Sequence, residues 1–363
     1  MDARSESATV NPGARFIPAV LDFSVTDFCN ADCDFCGFAR SKMKRKPRQF
    51  ADANAFERAL PIIARRGIRY LNFQGGEPLL HPQIIAMVDA THRAGIKPSL
   101  ITNGWKLPER ADALADAGLH NLLVSLDSDD LTKHDQNRGM RNLSRRMERG
   151  IARMKERRVP VMASVTVSKL VDFDALPATL RAMGFEAVTF SYPRQQPFGS
   201  SSLVYDEGSE IIDFTDDELN AALEAILKLK HRFRVLNPAA SVRDIQRHIH
   251  GEQERFPCVG GFKYFYMDWR LDVWRCEAWH APAGSVFEFD HIADDRTHCT
   301  ACIMSCYRDT STLMHAGVAA ADAAKALASA RPLAAARAMI TPSVAQSLGT
   351  TLAEIGLLMT LGR

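Results

Sequence analysis

The sequence predicts an α/β chain organised as a partial (β/α)6 TIM-like barrel, and two observations carry that prediction. Short apolar runs alternate with longer amphipathic segments as far as about residue 191, the pattern of a parallel sheet with right-handed crossovers. Polar, glycine-containing turns follow the runs on their C-terminal side, where α/β barrels place their chemistry. Six strands rather than eight are visible, so the barrel is expected to stay open on one side.

Residues 21–26, Leu-Asp-Phe-Ser-Val-Thr, alternate as a half-buried strand does. A helix is expected from Asp52 to Arg66, with Phe56, Leu60 and Ile63 as its buried stripe and Gly67 closing it. Strands follow near 68–73, 97–102, 119–126, 160–167 and 185–191, separated by helices near 82–94, 108–117, 142–158 and 172–183. The helix at 142–158 sets five arginines opposite a stripe of Leu143, Met147, Ile151 and Met154, which reads as a solvated outer face. Between Tyr192 and Phe214 the chain turns Ser-, Gly- and Pro-rich, and a helix at 215–233 follows.

These changes divide the chain into an extension (1–20), the barrel (21–235), a cysteine-bearing region (236–315) opened by a short helix, and an Ala-rich helical tail (316–363). Thr341-Pro342 opens the last helix, which aligns Val344, Leu348, Leu352, Ile355 and Met359. That face is expected to pack on the barrel or on a second subunit. The helix lacks the basic face of a membrane-surface helix.

With 363 residues and a net charge of +2, the composition favours neither nucleic acid nor a membrane surface as a partner. Met1 to Gly13 holds no apolar run, so neither a signal peptide nor a spanning segment is expected there, and the expected compartment is the cytoplasm. In that reducing setting eight cysteines grouped in loops read as metal ligands rather than disulfides.

Cys29, Cys33 and Cys36 occupy one short loop just after the first strand. Thiolates are soft ligands that select zinc, copper(I) or iron–sulfur clusters, and structural zinc wants four protein ligands. A [4Fe–4S] cube held by three thiolates leaves one iron open to another molecule. Gly75-Gly76-Glu77-Pro78 follows the second strand, Thr102-Asn103-Gly104 ends the third, and Ser125-Leu126-Asp127-Ser128 ends the fourth.

The CxxxCxxC spacing, with Phe35 before its third cysteine, resembles the signature of the radical S-adenosylmethionine (SAM) superfamily. Gly75 to Pro78 resembles that family's GGEP motif, which holds the SAM amino group. Asn103 and Ser125 match its polar contacts to SAM, although Ser128 stands where glycine is usual. His134 to Gly139 resembles its H-x-x-x-R-G segment, which makes Arg138 the candidate fork for the SAM carboxylate. Thr166 and Ser168 are candidates for the ribose. The resemblance implies that Cys29, Cys33 and Cys36 carry a [4Fe–4S] cluster that reductively cleaves SAM to methionine and a 5′-deoxyadenosyl radical, which abstracts a substrate hydrogen.

Cys258, Cys276, Cys299, Cys302 and Cys306 form a second set, for which a zinc ribbon is the alternative reading. After a radical SAM core it resembles the SPASM or Twitch extensions, which carry auxiliary clusters. Full SPASM domains use more cysteines than these five, so one auxiliary [4Fe–4S] cluster is implied. Cys258 and Cys276 would flank a hairpin from Tyr264 to Trp274, and Cys299 and Cys302 are favoured to complete the set, with Cys306 spare or an alternative ligand.

The expected activity is oxidation or tailoring of a small metabolite that meets Tyr192 and Arg194 at the end of the last strand. A peptide-modifying maturase and a non-catalytic zinc scaffold are the alternatives. Lys42, Lys44, Arg45, Lys46 and Arg48 follow the first cysteine loop as a solvated segment, or as a docking patch for a flavodoxin or ferredoxin electron donor.

Overall fold

The computed structural model describes residues 17–44, 47–193, 200–205, 208–297 and 299–359. Its frame is one sheet of six parallel strands, β1 (Ala19–Ser24), β2 (Ile68–Gln74), β3 (Lys97–Thr102), β4 (Asn121–Ser125), β5 (Val161–Thr166) and β6 (Ala187–Ser191). The crossovers carry α1 (Ala53–Arg65), α2 (Ile84–Arg93), α3 (Leu107–Asp116), α4 (Leu131–Asn137), α5 (Leu143–Glu156) and α6 (Leu176–Ala182).

Local chemistry starts and stops these helices where expected. The Asp52 carboxylate accepts the backbone N–H groups of Asn54 (2.9 Å) and Ala55 (3.1 Å), two donors that the first turn of α1 cannot pair itself. Phe56, Leu60 and Ile63 are buried, and Phe56 packs on Phe23 of β1 at 5.0 Å between ring centres. The stripe on α5 is likewise buried. Its outward arginines are not merely solvated: Arg153 forks onto Asp112 of α3, and Arg146 and Arg157 pair with Glu109 and Asp116 of the same helix. Exposed pairs of this kind contribute little each.

The helix α4 was not expected. Asp130 caps it, accepting from Thr132 and Lys133, and it swings His134 and Arg138 back towards the sheet.

Beyond the barrel come α7 (Asp216–Leu229), α8 (Ala239–Ile249), β7 (Tyr264–Met267), β8 (Asp272–Trp274), β9 (Pro282–Ser285), α9 (Ser305–Ala328), α10 (Pro332–Met339) and α11 (Pro342–Met359). The expected hairpin from Tyr264 to Trp274 forms, and it does more than flank cysteines. β7 pairs parallel to β1, Val20 opposite Tyr264 and Phe23 opposite Met267, and β8 and β9 continue antiparallel. The sheet order is therefore β6-β5-β4-β3-β2-β1-β7-β8-β9, with β1 interior.

The expected boundary between residues 315 and 316 falls inside the continuous helix α9. In α11, Val344 is buried while Leu348 and Leu352 point outward at 52% and 63% exposure, so of the two expected partners the barrel does not cover this stripe; the side chains of Ile355 and Met359 lie outside the described ones. The face that packs on α9 is hydroxyl-rich: Ser347 Oγ donates to the Thr312 carbonyl (2.6 Å) and Thr351 Oγ1 to that of Leu313 (3.0 Å). Small side chains let the two helices approach closely, and their hydroxyls stay paired within the packed face.

Candidate active site

The C-terminal ends of β1 to β6 open onto one cavity of about 330 Å³, which also receives Tyr264 of β7, Glu277, and Met304 to Cys306 and Asp309 at the start of α9. Within the first six strands its walls are mostly polar, with Asp22, Asn72, Gln74, Ser125, Thr166 and Ser191 among them and Ile101 and Leu123 as the apolar exceptions. Closed barrels fill such inward positions with branched apolar side chains; here small polar ones predominate and leave room. Asp22 and Ser24 are accordingly 2% and 1% exposed, so the polar face of β1 looks into the barrel rather than out to solvent, and β1 is buried on both faces.

Cys29, Cys33 and Cys36 all line this cavity. Their loop is pinned on several sides. Asp32 N donates to the Arg138 carbonyl (2.9 Å), Arg40 N to that of Ala31 (2.8 Å) and Gly37 N to that of Leu203 (2.7 Å), while Asp27 accepts from Gln49 N (2.8 Å). Burial pushes the Cys29 thiol up to about 12 and raises those of Cys33 and Cys36. Left to themselves these groups hold their protons at neutral pH, so a cationic iron centre is what would draw them into the ligating form.

Gly75 and Gly76 are required by the loop itself. A Cβ on Gly76 would stand 2.2 Å from the Phe28 carbonyl oxygen, and one on Gly75, whose φ is +122°, would stand 2.5 Å from that of Thr26. The close approach that these glycines permit is to the cysteine loop and the strand end before it. Gly76 N donates to Thr26 O (2.9 Å) and Glu77 N to Phe28 O (2.8 Å), which locks the end of β2 against the thiols. Glu77 Oε1 accepts from Leu79 N (2.9 Å) and Thr102 Oγ1 (2.7 Å), and Oε2 from Asn103 N (2.7 Å). It braces the strand ends as well as bordering the cavity. Pro78 opens the short turn Pro78–Leu80 and lies outside the lining.

Phe35, Asn103, Ser125, Thr166 and Arg138 reach the cavity as expected. Arg138 differs in what it grips: Nε and Nη2 fork onto Asp127 at 2.8 and 2.5 Å, leaving Nη1 as the arm that Asp127 does not engage. Ser168 is absent from the lining. β5 ends at Thr166, and the Ser168 hydroxyl accepts Leu170 N (3.3 Å) in the turn that follows. Tyr192 lines the cavity, while Arg194 lies outside the described residues.

His134 lies under Arg138, fully buried, with Nδ1 accepting Asp127 N (3.2 Å). Burial, helped by the Arg138 charge, lowers its pKa to about 4 against the pull of Asp127. Below its unfolded value near 6.5 the unfolded chain binds a proton that the folded one refuses, so this stability is present above about pH 6.5 and is lost as pH falls towards 4, by up to about 1.4 kcal/mol per unit. Comparing urea midpoints at about pH 7 and about pH 5, we expect His134→Gln to show a shallower loss than the parent chain. Equal losses would remove His134 from the account.

In the second cysteine set the thiols of Cys299 and Cys302 bear on Cys258, and those of Cys302 and Cys258 on Cys276; burial first, then these neighbours, push Cys258 up to about 11 and Cys276 up to about 12. Cys306 lines the main cavity, where burial and then Asp22, Glu277 and Cys302 raise its pKa. Cys258, Cys276, Cys302 and Cys306 all pack against Tyr264 and Tyr307, whose ring centres are 4.6 Å apart. Among the described residues no three His, Cys, Asp or Glu side chains close around a point suited to a single metal ion.

Residues 23–180 match the family model "Radical SAM superfamily". This part of the chain is a radical SAM domain. It spans β1 to α6 and includes all three thiols of the first loop. A 113-residue segment is 41% identical to GTP 3′,8-cyclase 2 of Mycobacterium tuberculosis (strain ATCC 25618 / H37Rv), covering 30% of this chain and 31% of that protein. Over 287 residues, 75% of this chain and 80% of the relative, the chain is 26% identical to AdoMet-dependent heme synthase of Methanosarcina barkeri.

Solved structures share the fold. SuiB of Streptococcus suis superposes with a TM-score of 0.58 at 15% identity, covering 77% of this chain and 67% of that one. A structure described as native anSMEcpe with bound AdoMet gives 0.58 at 16%, covering 77% and 82%. The radical SAM family implies a [4Fe–4S] cluster and SAM. Three soft donors on one cavity, Cys29 and Cys33 buried and Cys36 half-buried, with no fourth thiol in their loop, fit such a cluster. Among the described residues no helix is long and apolar enough to cross a membrane.

Proposed function

We propose that this chain is a radical SAM enzyme that abstracts a hydrogen atom from a small molecule held in the cavity between the two cysteine groups. The observation that carries the reading is the meeting, on one cavity, of three loop thiols, two buried and one half-buried, the glycine turn locked against them and the polar ends of six parallel strands. When bound, the cluster supplies the electron that cleaves SAM and so generates a hydrogen-abstracting radical.

The chain's own residues prepare that event. Cys29, Cys33 and Cys36 hold the cluster. The backbone of Gly75 and Gly76 and the free arm of Arg138 position the amino-acid end of SAM. Ser125, Thr166 and Asn103 offer hydrogen bonds to the rest of it, and Tyr192 and Tyr205 close the cavity against water. Cys258, Cys276, Cys299 and Cys302 are the donors for one auxiliary cluster, and Cys258, Cys276 and Cys302 pack against the Tyr264–Tyr307 pair. A patch of Arg40, Lys44 and Arg48 beside Cys29 suits an acidic flavodoxin or ferredoxin; Arg45 and Lys46 lie outside the described residues.

After anaerobic reconstitution we expect about eight irons per chain, falling to about four when Cys29, Cys33 and Cys36 are all alanine, with 5′-deoxyadenosine formed from SAM only by the parent. Stoichiometric zinc and no 5′-deoxyadenosine in the parent would overturn the proposal.

A further inference from the structure

Three carboxylates line the cavity away from the cysteine loop: Asp22 from β1, Glu277 from the segment after β8, and Asp309 from α9. Buried anions normally face a cation, because the attraction has to offset the water they lose. None of these forms an ion pair within the described residues. Their partners are neutral: Asp22 accepts from Asn72 Nδ2 (3.1 Å) and Tyr264 Oη (3.0 Å), Glu277 from Gln74 Nε2 (2.7 Å) and Ser202 Oγ (3.1 Å), and Asp309 Oδ2 from Asn237 Nδ2 (2.8 Å). The one arginine among the described lining residues, Arg138, pairs with Asp127 through Nε and Nη2 and forms no ion pair with these three.

A second observation points to a ligand. The Tyr192 hydroxyl, on a side chain only 1% exposed, lines the same cavity and has no hydrogen-bond partner. Asn72 Oδ1, on a lining residue, is also buried without a donor, and Asp309 Oδ1 has only the neighbouring Ser241 hydroxyl beside it. Tyr192 lies near enough to Asp309 to feel its charge. Buried acceptors left over beside uncompensated carboxylates call for a molecule that brings positive charge and N–H donors together.

We infer that the substrate taken by this cavity is a small cation bearing a protonated amine or guanidine, seated by Asp22, Glu277 and Asp309 with Tyr192 and Asn72 as hydrogen-bond partners. A nucleoside triphosphate would bring only more negative charge and acceptor oxygens to a wall already rich in carboxylate oxygens. The inference rests on the cavity being the radical SAM active site, and it assigns the substrate's charge. The three carboxylates come from β1, the segment after β8 and α9, apart from the Ser125 and Thr166 wall that β4 and β5 provide for SAM.

The test is calorimetric titration of the anaerobically reconstituted full chain, saturated with SAM, against 1,5-diaminopentane, agmatine, pentane-1,5-diol, glutarate and GTP. Saturating SAM fills its own ammonium site beforehand. We expect saturable binding of at least one of the two cations, weakened about tenfold or more in Asp309→Asn and in Tyr192→Phe. SAM affinity and thermal midpoint should stay unchanged in both variants, which separates lost recognition from lost folding.

The inference is overturned if neither cation binds, if the diol, glutarate or GTP binds as tightly, or if both variants bind the cation like the parent. A loss of SAM affinity in Asp309→Asn would also overturn it, by assigning that carboxylate to SAM. The parent's SAM titration, run separately, reports on the radical SAM reading alone.

Discussion

An Asp127→Ala chain is expected to lose about 3–5 kcal/mol of folding stability, because it strands a buried cation. Arg138 is 8% exposed and Asp127 1%, and the two are joined by a two-pronged fork. Asp127 also accepts Asn137 Nδ2 at 2.8 Å, so one carboxylate closes the whole turn after α4. The Arg138 backbone in turn holds the cysteine loop through Asp32 N, so the loss should reach the thiols. Burial alone would raise the Asp127 carboxyl; the Arg138 charge, with the hydrogen bonds from Arg138 and Asn137, outweighs that cost and holds it below its usual range. The measurement is urea unfolding of the apo chain, with Asp127→Asn beside it. The amide keeps the shape and one acceptor, and is expected to lose less. A cost under about 1 kcal/mol for the alanine variant would sink the claim that this pair is uncompensated elsewhere.

Gly76→Ala is expected to abolish iron binding at the first loop and to cost about 3 kcal/mol or more, since the added methyl meets backbone that has no rotamer to escape into. Its Cβ would lie 2.4 Å from the Phe28 carbonyl carbon and 3.0 Å from Cys29 N as well as against the Phe28 oxygen. The two hydrogen bonds that lock β2 to the loop are the first to yield. Gly67→Ala is the comparison: its φ is +94° but nothing lies within 4 Å of the added carbon, so only the backbone strain of about 1–2 kcal/mol applies and iron binding should be kept. If Gly76→Ala retains the full complement of iron, the loop is more adaptable than these contacts allow.

What the sequence made legible was local. The start of α1 at Asp52, its Phe56 stripe and each of the six strands with its own alternation are set by neighbours close in the chain, and the structure keeps them. Gly75 and Gly76 were legible as a special turn, though what crowds them was not, because Phe28 lies nearly fifty residues earlier. Two features were not legible, for one reason. Asp22 alternates as the solvent face of a half-buried strand does, and nothing beside Arg138 in the sequence shows that Asp127 holds two of its nitrogens. Each depends on what another segment brings: a barrel interior, and Asp127 with the unexpected α4. Periodicity tells how a side chain alternates but not which face meets protein, cavity or water.

The pairing of β7 with β1 sets an order of events during synthesis. Val20 leaves the ribosome long before Tyr264, its sheet partner, exists. In that interval β1 presents an open edge whose amide and carbonyl groups can be matched by any extended chain nearby. A polypeptide released at the end of α7 would keep that edge permanently. Such a fragment should aggregate even though it holds every strand of the barrel, and the full chain should show a slow folding phase set by closing a loop of this length. The C-terminal hairpin thus acts as the cap that ends the growth of the sheet on that side.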